Sequence, residues 1–167
     1  FAQCCGGQVD LIIESMFQKE KLLMFGAGHV GQALISVLKD TPFEVHLIDS
    51  RPDWFKNLQI TTEVQLHDLH EEDLVSLLDK YPQSYIVIMT HQHDIDFDLI
   101  QNAINKKHKY IGLIASQTKK KRFAKRLERK SQVGFDQVHA PIGLPIGGHT
   151  PQEIAISIAA ELLKHHY

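Results

Sequence analysis

The feature that most constrains this chain is a glycine-rich turn, Gly26-Ala27-Gly28-His29-Val30-Gly31, set between an apolar run and a helical one. Lys21 to Phe25 reads as a short apolar strand entering the turn, and Val30, Leu34 and Leu38 then recur at helical spacing over His29 to Lys39. Asp40-Thr41-Pro42 ends that helix, and Phe43 to Ile48 gives a second buried strand closing at Asp49. Such a turn needs Gly26 for a tight bend, Gly28 so that backbone can approach a phosphate, and Gly31 so that helix and strand pack closely. The helix N-terminus, with His29 beside it, adds free N–H groups and a positive dipole end.

A glycine pattern alone is weakly specific. Here a strand precedes it, a helix follows it, and Asp49 stands 18 residues after Gly31 at the end of the next strand, which together specify a Rossmann-type βαβ unit. Asp49 is placed to accept hydrogen bonds from ribose hydroxyls and Arg51 to contact an extra phosphate, so the choice between NAD and NADP stays open. The same fold also serves other ligands, or none.

The alternation continues. Glu71 to Lys80 reads as a helix, Ser84 to Met89 as a strand, Ile95 to Lys106 as a helix and Tyr110 to Ile114 as a strand. Lys119 to Lys130 reads as a basic helix, and Thr150 to Lys164 as a final amphipathic helix with Thr150-Pro151 as its cap and first position. Short apolar strands between helices predict an α/β fold, a Rossmann-like doubly wound, mainly parallel sheet covered on both faces. Val9 to Glu14 reads as a strand and Ser15 to Lys21 as a polar linker. Residues 1–20 are therefore expected to be the tail of a further N-terminal domain or a linker, and 21–167 the Rossmann-like domain.

With 167 residues and 43% hydrophobic content, the chain can bury one core. A net charge of -2 and a pI near 6.6 argue against a nucleic-acid partner. No run of about 18 apolar residues and no signal peptide is visible, so a cytoplasmic protein without a membrane association is expected. The chain opens at Phe1 without methionine, which suggests that a region is missing upstream; Lys164-His165-His166-Tyr167 reads as a helix end or a tag remnant without assigned function.

Three further groups carry chemistry. Met89-Thr90-His91-Gln92-His93-Asp94 falls at the carboxyl end of a strand, where open α/β sheets place ligands. If the strand persists, His91 and His93 face the same way, as a metal pair, an acid/base pair, polar ligand contacts or solvated loop residues. Ser116 and Thr118 stand where a strand enters a helix, so they grip an anion or merely cap the helix. Behind them Lys119, Lys120, Lys121, Arg122, Lys125, Arg126, Arg129 and Lys130, opposed by Glu128, form a solvated face or a surface for an anionic ligand or partner. Vicinal Cys4 and Cys5 before two glycines argue against a structural disulfide or zinc site; they are small buried hydrophobes, a nucleophile or ligands for a soft metal.

Taken in order, Gln3-Cys4-Cys5-Gly6-Gly7, the Met24 to Gly31 turn, Asp49-Ser50-Arg51-Pro52, Met89-Thr90-His91, Tyr110-Ile111-Gly112-Leu113-Ile114 and Pro141-Ile142-Gly143-Leu144 resemble the XdhC/CoxI family of xanthine dehydrogenase accessory proteins. Pro145-Ile146-Gly147-Gly148 and Pro151 to Ser157 extend the resemblance, which departs at Ala115, where the family commonly has glycine. The resemblance implies a maturation chaperone rather than an enzyme with its own turnover. It would bind the molybdenum cofactor, support its sulfuration by a partner cysteine desulfurase, and deliver it to a xanthine dehydrogenase-type molybdoenzyme; a homodimer is expected. It also implies that Cys4 or Cys5 meets the molybdenum, as suits a soft thiolate. Two rivals remain: an NAD(P)-dependent oxidoreductase with His91 or His93 as acid/base, and a degenerate Rossmann interaction module that binds no small molecule.

Overall fold

The computed structural model describes residue 12 and residues 18–56, 64–69, 73–130 and 134–167. The Cys4-Cys5-Gly6-Gly7 block lies outside them, as does the strand expected over 9–14 apart from Ile12.

The elements run β1 (Glu20–Phe25), α1 (His29–Val37), β2 (Phe43–Asp49), a short α2 (Asp53–Lys56), β3 (Val64–Asp68), α3 (Leu74–Lys80), β4 (Tyr85–Ile88), α4 (His93–Ala103), β5 (Tyr110–Leu113), α5 (Gln117–Arg129), β6 (Val138–His139) and α6 (Pro151–His166). They build one six-stranded sheet in the order β3-β2-β1-β4-β5-β6, and every pairing is parallel. The order reverses between β1 and β4, which defines a topological switch point there.

The two sheet faces follow from the strands' period of two. In β1, Leu23 and Phe25 join one core with Ile86, Ile88 and Leu113, roofed by Leu77 and Leu78 of α3, Phe97 and Ile100 of α4, and Phe123 and Leu127 of α5. Leu22 and Met24 join the opposite core with Leu47 and Val87, roofed by Leu34 of α1 and Ile158 and Leu162 of α6. Leu22 through Phe25 are wholly buried, each contributing roughly 1.5–3 kcal/mol from removal of apolar surface from water. The two-sided apolar run is what a central parallel strand requires.

Caps set the helix starts. Asp73 accepts the Ser76 amide at 3.0 Å, so α3 begins at Leu74. Thr150 accepts the Glu153 amide at 3.3 Å while Glu153 accepts the Thr150 amide at 2.9 Å, a reciprocal box with Pro151 inside it. Helix α4 begins at His93, two residues before the expected Ile95, because Asp94 and Asp96 favour the positive end of a helix. Two strands were not expected. β3 is an edge strand in which Val64 and Leu66 are the only aliphatic residues, and β6 has two residues.

Candidate functional site

A cleft of about 610 Å³ opens over the carboxyl ends of the central strands at the switch point. Four helix starts meet it: His29 of α1, His93 of α4, Ser116 before α5 and Pro151 of α6 all line its wall. Each brings N–H groups of its first turn and a positive dipole end. The arrangement favours an anion.

The glycines of the turn are not equivalent. Gly26 has φ +123°, and a side chain there would strike the Met89 carbonyl; one at Gly31 would strike the carbonyl of Gly26. Both are required by the protein's own packing. Gly28 is different, because a Cβ there would meet nothing within 4 Å and its φ of -66° and ψ of -173° suit any residue. It faces the cleft. Its bareness leaves room for something from outside.

Asp49 is buried, and its carboxylate is saturated from within. Oδ1 accepts the Arg51 amide at 3.0 Å and Arg51 Nε at 2.8 Å, while Oδ2 accepts the Ala27 amide at 2.7 Å and Arg51 Nη2 at 2.8 Å. Four donors fill the roughly four lone-pair sites of an ionised carboxylate. Burial alone pushes this carboxyl up, but the donors from Arg51 and Ala27 outweigh it and hold its pKa below the ordinary value. The crevice that borders Asp49, His91 and Thr90 measures about 10 Å³, room for about one water.

Behind the cleft a buried ion pair fixes three elements. Asp96 is fully buried; its Oδ1 accepts the Thr90 hydroxyl at 2.7 Å and the Thr90 amide at 3.2 Å, and its Oδ2 accepts Lys119 Nζ at 2.6 Å. Lys119 Nζ also donates to the Ile114 carbonyl at 3.0 Å. Sequence reasoning missed Asp96 and counted Lys119 only within the basic run. A signal existed: Asp96 shares the helical stripe of Leu99, Ile100 and Ala103, where an acid demands a partner.

The other expected residues separate. His93 lines the large cleft and its Nδ1 lies 2.8 Å from Arg122 Nη2, whereas His91 borders the small crevice, its Nε2 3.0 Å from Gln92 Nε2. β4 stops at Ile88, so strand alternation does not carry through to this pair. Ser116 caps α5, accepting the Lys119 amide at 3.2 Å, and also lines the cleft. Thr118 is exposed. Part of the basic run docks on α4: Arg126 bonds Asp94 at 2.9 Å and lies 3.9 Å over the Phe97 ring, and Lys130 reaches Gln101 at 2.6 Å.

The family model for the XdhC Rossmann domain matches residues 22–162, from the first core strand to the last helix. The chain belongs to the XdhC family. The chain is 31% identical over 163 residues to the uncharacterized protein YqeB of Escherichia coli K12, covering 96% of the chain and 30% of that protein. It is 29% identical over 155 residues to a Bacillus subtilis protein named as a probable subunit of xanthine dehydrogenase, covering 93% and 46%. A crystal structure described as a xanthine dehydrogenase from Bacillus halodurans superposes with a TM-score of 0.70 at 27% identity, over 89% of this chain and 43% of that one. The chain thus spans less than half the length of these relatives. Among the described residues, no helix is long and apolar enough to cross a membrane.

Proposed function

We propose that this domain is an accessory, non-catalytic part of the maturation of a xanthine dehydrogenase-type molybdoenzyme, and that its cleft holds the phosphate end of the molybdenum cofactor as cargo. The names borne by its relatives supply the enzyme class. The observation that carries the cleft is Gly28, a glycine that the protein's own packing does not demand and that lies open to four helix starts. A volume of about 610 Å³ falls in the range of small-molecule and cofactor sites. Gly28, Gly31 and Ser116 offer backbone donors, and His29 and His93 polar contacts. Cys4 or Cys5 meets the molybdenum, and a cysteine desulfurase and a second copy of the chain complete the set of partners.

The NAD(P)-dependent oxidoreductase is the weaker reading, since Asp49 and Arg51 satisfy one another where a dinucleotide's ribose needs a free acceptor. The deciding experiment isolates the full-length protein from cells that make the cofactor and assays pterin and molybdenum. Both are expected in constant proportion to protein, with Gly28→Val losing at least tenfold of the pterin. Protein that carries neither, while binding NAD(H) saturably, overturns the proposal.

A further inference from the structure

Away from the cleft, the far half of α6 packs beside β6. Glu161 and His165 are four residues apart on α6 and so share a face, and His139 comes up to them from β6. One ligand atom from each of these three residues lies within 4.8 Å of the others. His139 Nδ1 is 3.1 Å from Glu161 Oε1, and the His139 and His165 rings meet edge to face with centroids 4.5 Å apart. In tetrahedral zinc coordination, with bonds of about 2.0–2.2 Å, neighbouring ligand atoms lie about 3.3 Å apart. One pair already meets that spacing, and the third ligand atom lies within 4.8 Å of both.

We propose that His139, Glu161 and His165 form a site for a zinc-class divalent cation, with three protein ligands and one position left for water. The surroundings are those of a built site. Glu161 is 9% exposed, and its second oxygen accepts the Gly143 amide, which orients the carboxylate as supporting groups do around metals. Tyr110 stacks on His139 at 4.6 Å and 19° and touches His165 at 5.0 Å, fixing both rings. The buried Tyr110 hydroxyl lies by the Glu161 carboxylate without a well-formed hydrogen bond; a metal-bound water gives it a partner. About ten residues of α6, or about 15 Å, separate this cluster from the cleft at Pro151, so the site is independent of the cargo reading.

The test uses the untagged full chain with Cys4 and Cys5 changed to serine, to remove competing thiolates, stripped of metal and titrated with Zn²⁺ by calorimetry. One equivalent is expected to bind, and Co²⁺ is expected to give the visible absorption of a four-coordinate site without a thiolate band. His165 is exposed, so His165→Ala should keep the metal-free melting temperature while weakening Zn²⁺ binding at least tenfold and abolishing the Co²⁺ band. Absence of Zn²⁺ binding at millimolar concentration, or equal binding by His165→Ala and the parent, overturns the proposal.

Discussion

Arg51 grips Asp49 at two points, Nε on Oδ1 and Nη2 on Oδ2, each at 2.8 Å, while the Ala27 amide of the glycine turn reaches Oδ2 at 2.7 Å. The acid at the end of β2 is therefore a tie that binds the turn to its neighbouring strand. Asp49→Ala is expected to lower stability by about 2–4 kcal/mol at neutral pH, because it strands a buried amide and an arginine. The folded pKa lies below the ordinary carboxylate value of 3.8, so this contribution is fully present above that pH and is lost as pH falls through the folded value. Urea unfolding at pH 7 and pH 3 should show the gap between parent and Asp49→Ala narrowing in acid; a constant gap contradicts the tie.

Lys119 and Asp96 form the pair on which the cleft floor rests. Lys119→Met leaves a fully buried carboxylate without its cation, with an expected cost of about 3–5 kcal/mol. Adding Asp96→Asn should recover part of that loss, since the uncompensated charge is gone. A double-mutant cycle by chemical denaturation measures the coupling, and simple additivity of the two changes argues against it.

The three turn glycines should respond differently to the same added carbon. Gly26→Ala and Gly31→Ala meet backbone carbonyls and are expected to cost several kcal/mol or prevent folding. Gly28→Ala meets nothing within 4 Å, so its melting temperature should stay within a few degrees of the parent, corresponding to about 0.5 kcal/mol. Parallel thermal melts check the ranking.

His108 should make the fold sensitive to mild acid. Burial, reinforced by the charge of Lys106, lowers its pKa from 6.5 to about 4. The folded state thus prefers the neutral ring, so stability is fully present above pH 6.5 and falls as pH drops from 6.5 towards 4. After allowance for partial exposure, the loss is about 1–3 kcal/mol. His108→Gln should flatten that slope while leaving the response of Asp49 at lower pH in place. An unchanged slope would show that the ring is not the sensor.

The central strands were legible because each is buried on two faces and so reads as an unbroken apolar run, as Leu22 to Phe25 do. β3 was not, because an edge strand with an open face tolerates Gln65 and an exposed Leu66. The turn was legible because its glycine spacing between an apolar run and a helical one is a local pattern, although the carbonyl that excludes a side chain at Gly26 comes from distant Met89. The Asp96–Lys119 pair and the His139–Glu161–His165 group join residues distant in the sequence, and spacing along one helix reveals only that a polar group needs a partner. The separation of His91 from His93 depended on where β4 ends, a boundary that hydrophobicity does not mark.

The strand order carries a kinetic consequence. Gly28 and Gly31 enter the cleft wall from the first βαβ unit, whereas Thr90, Ser116, Lys119 and Pro151 enter from the part of the chain beyond the crossover. A chain made from its N-terminus completes the glycine turn early, yet β4 must reach back to β1 and α6 must settle beside α1 on the same core before the turn has an opposite wall. Such long-range parallel pairing is slow. A nascent chain stalled before α6 presents only a half-walled groove, so a guest that needs both walls is taken up only after α6 has emerged and docked.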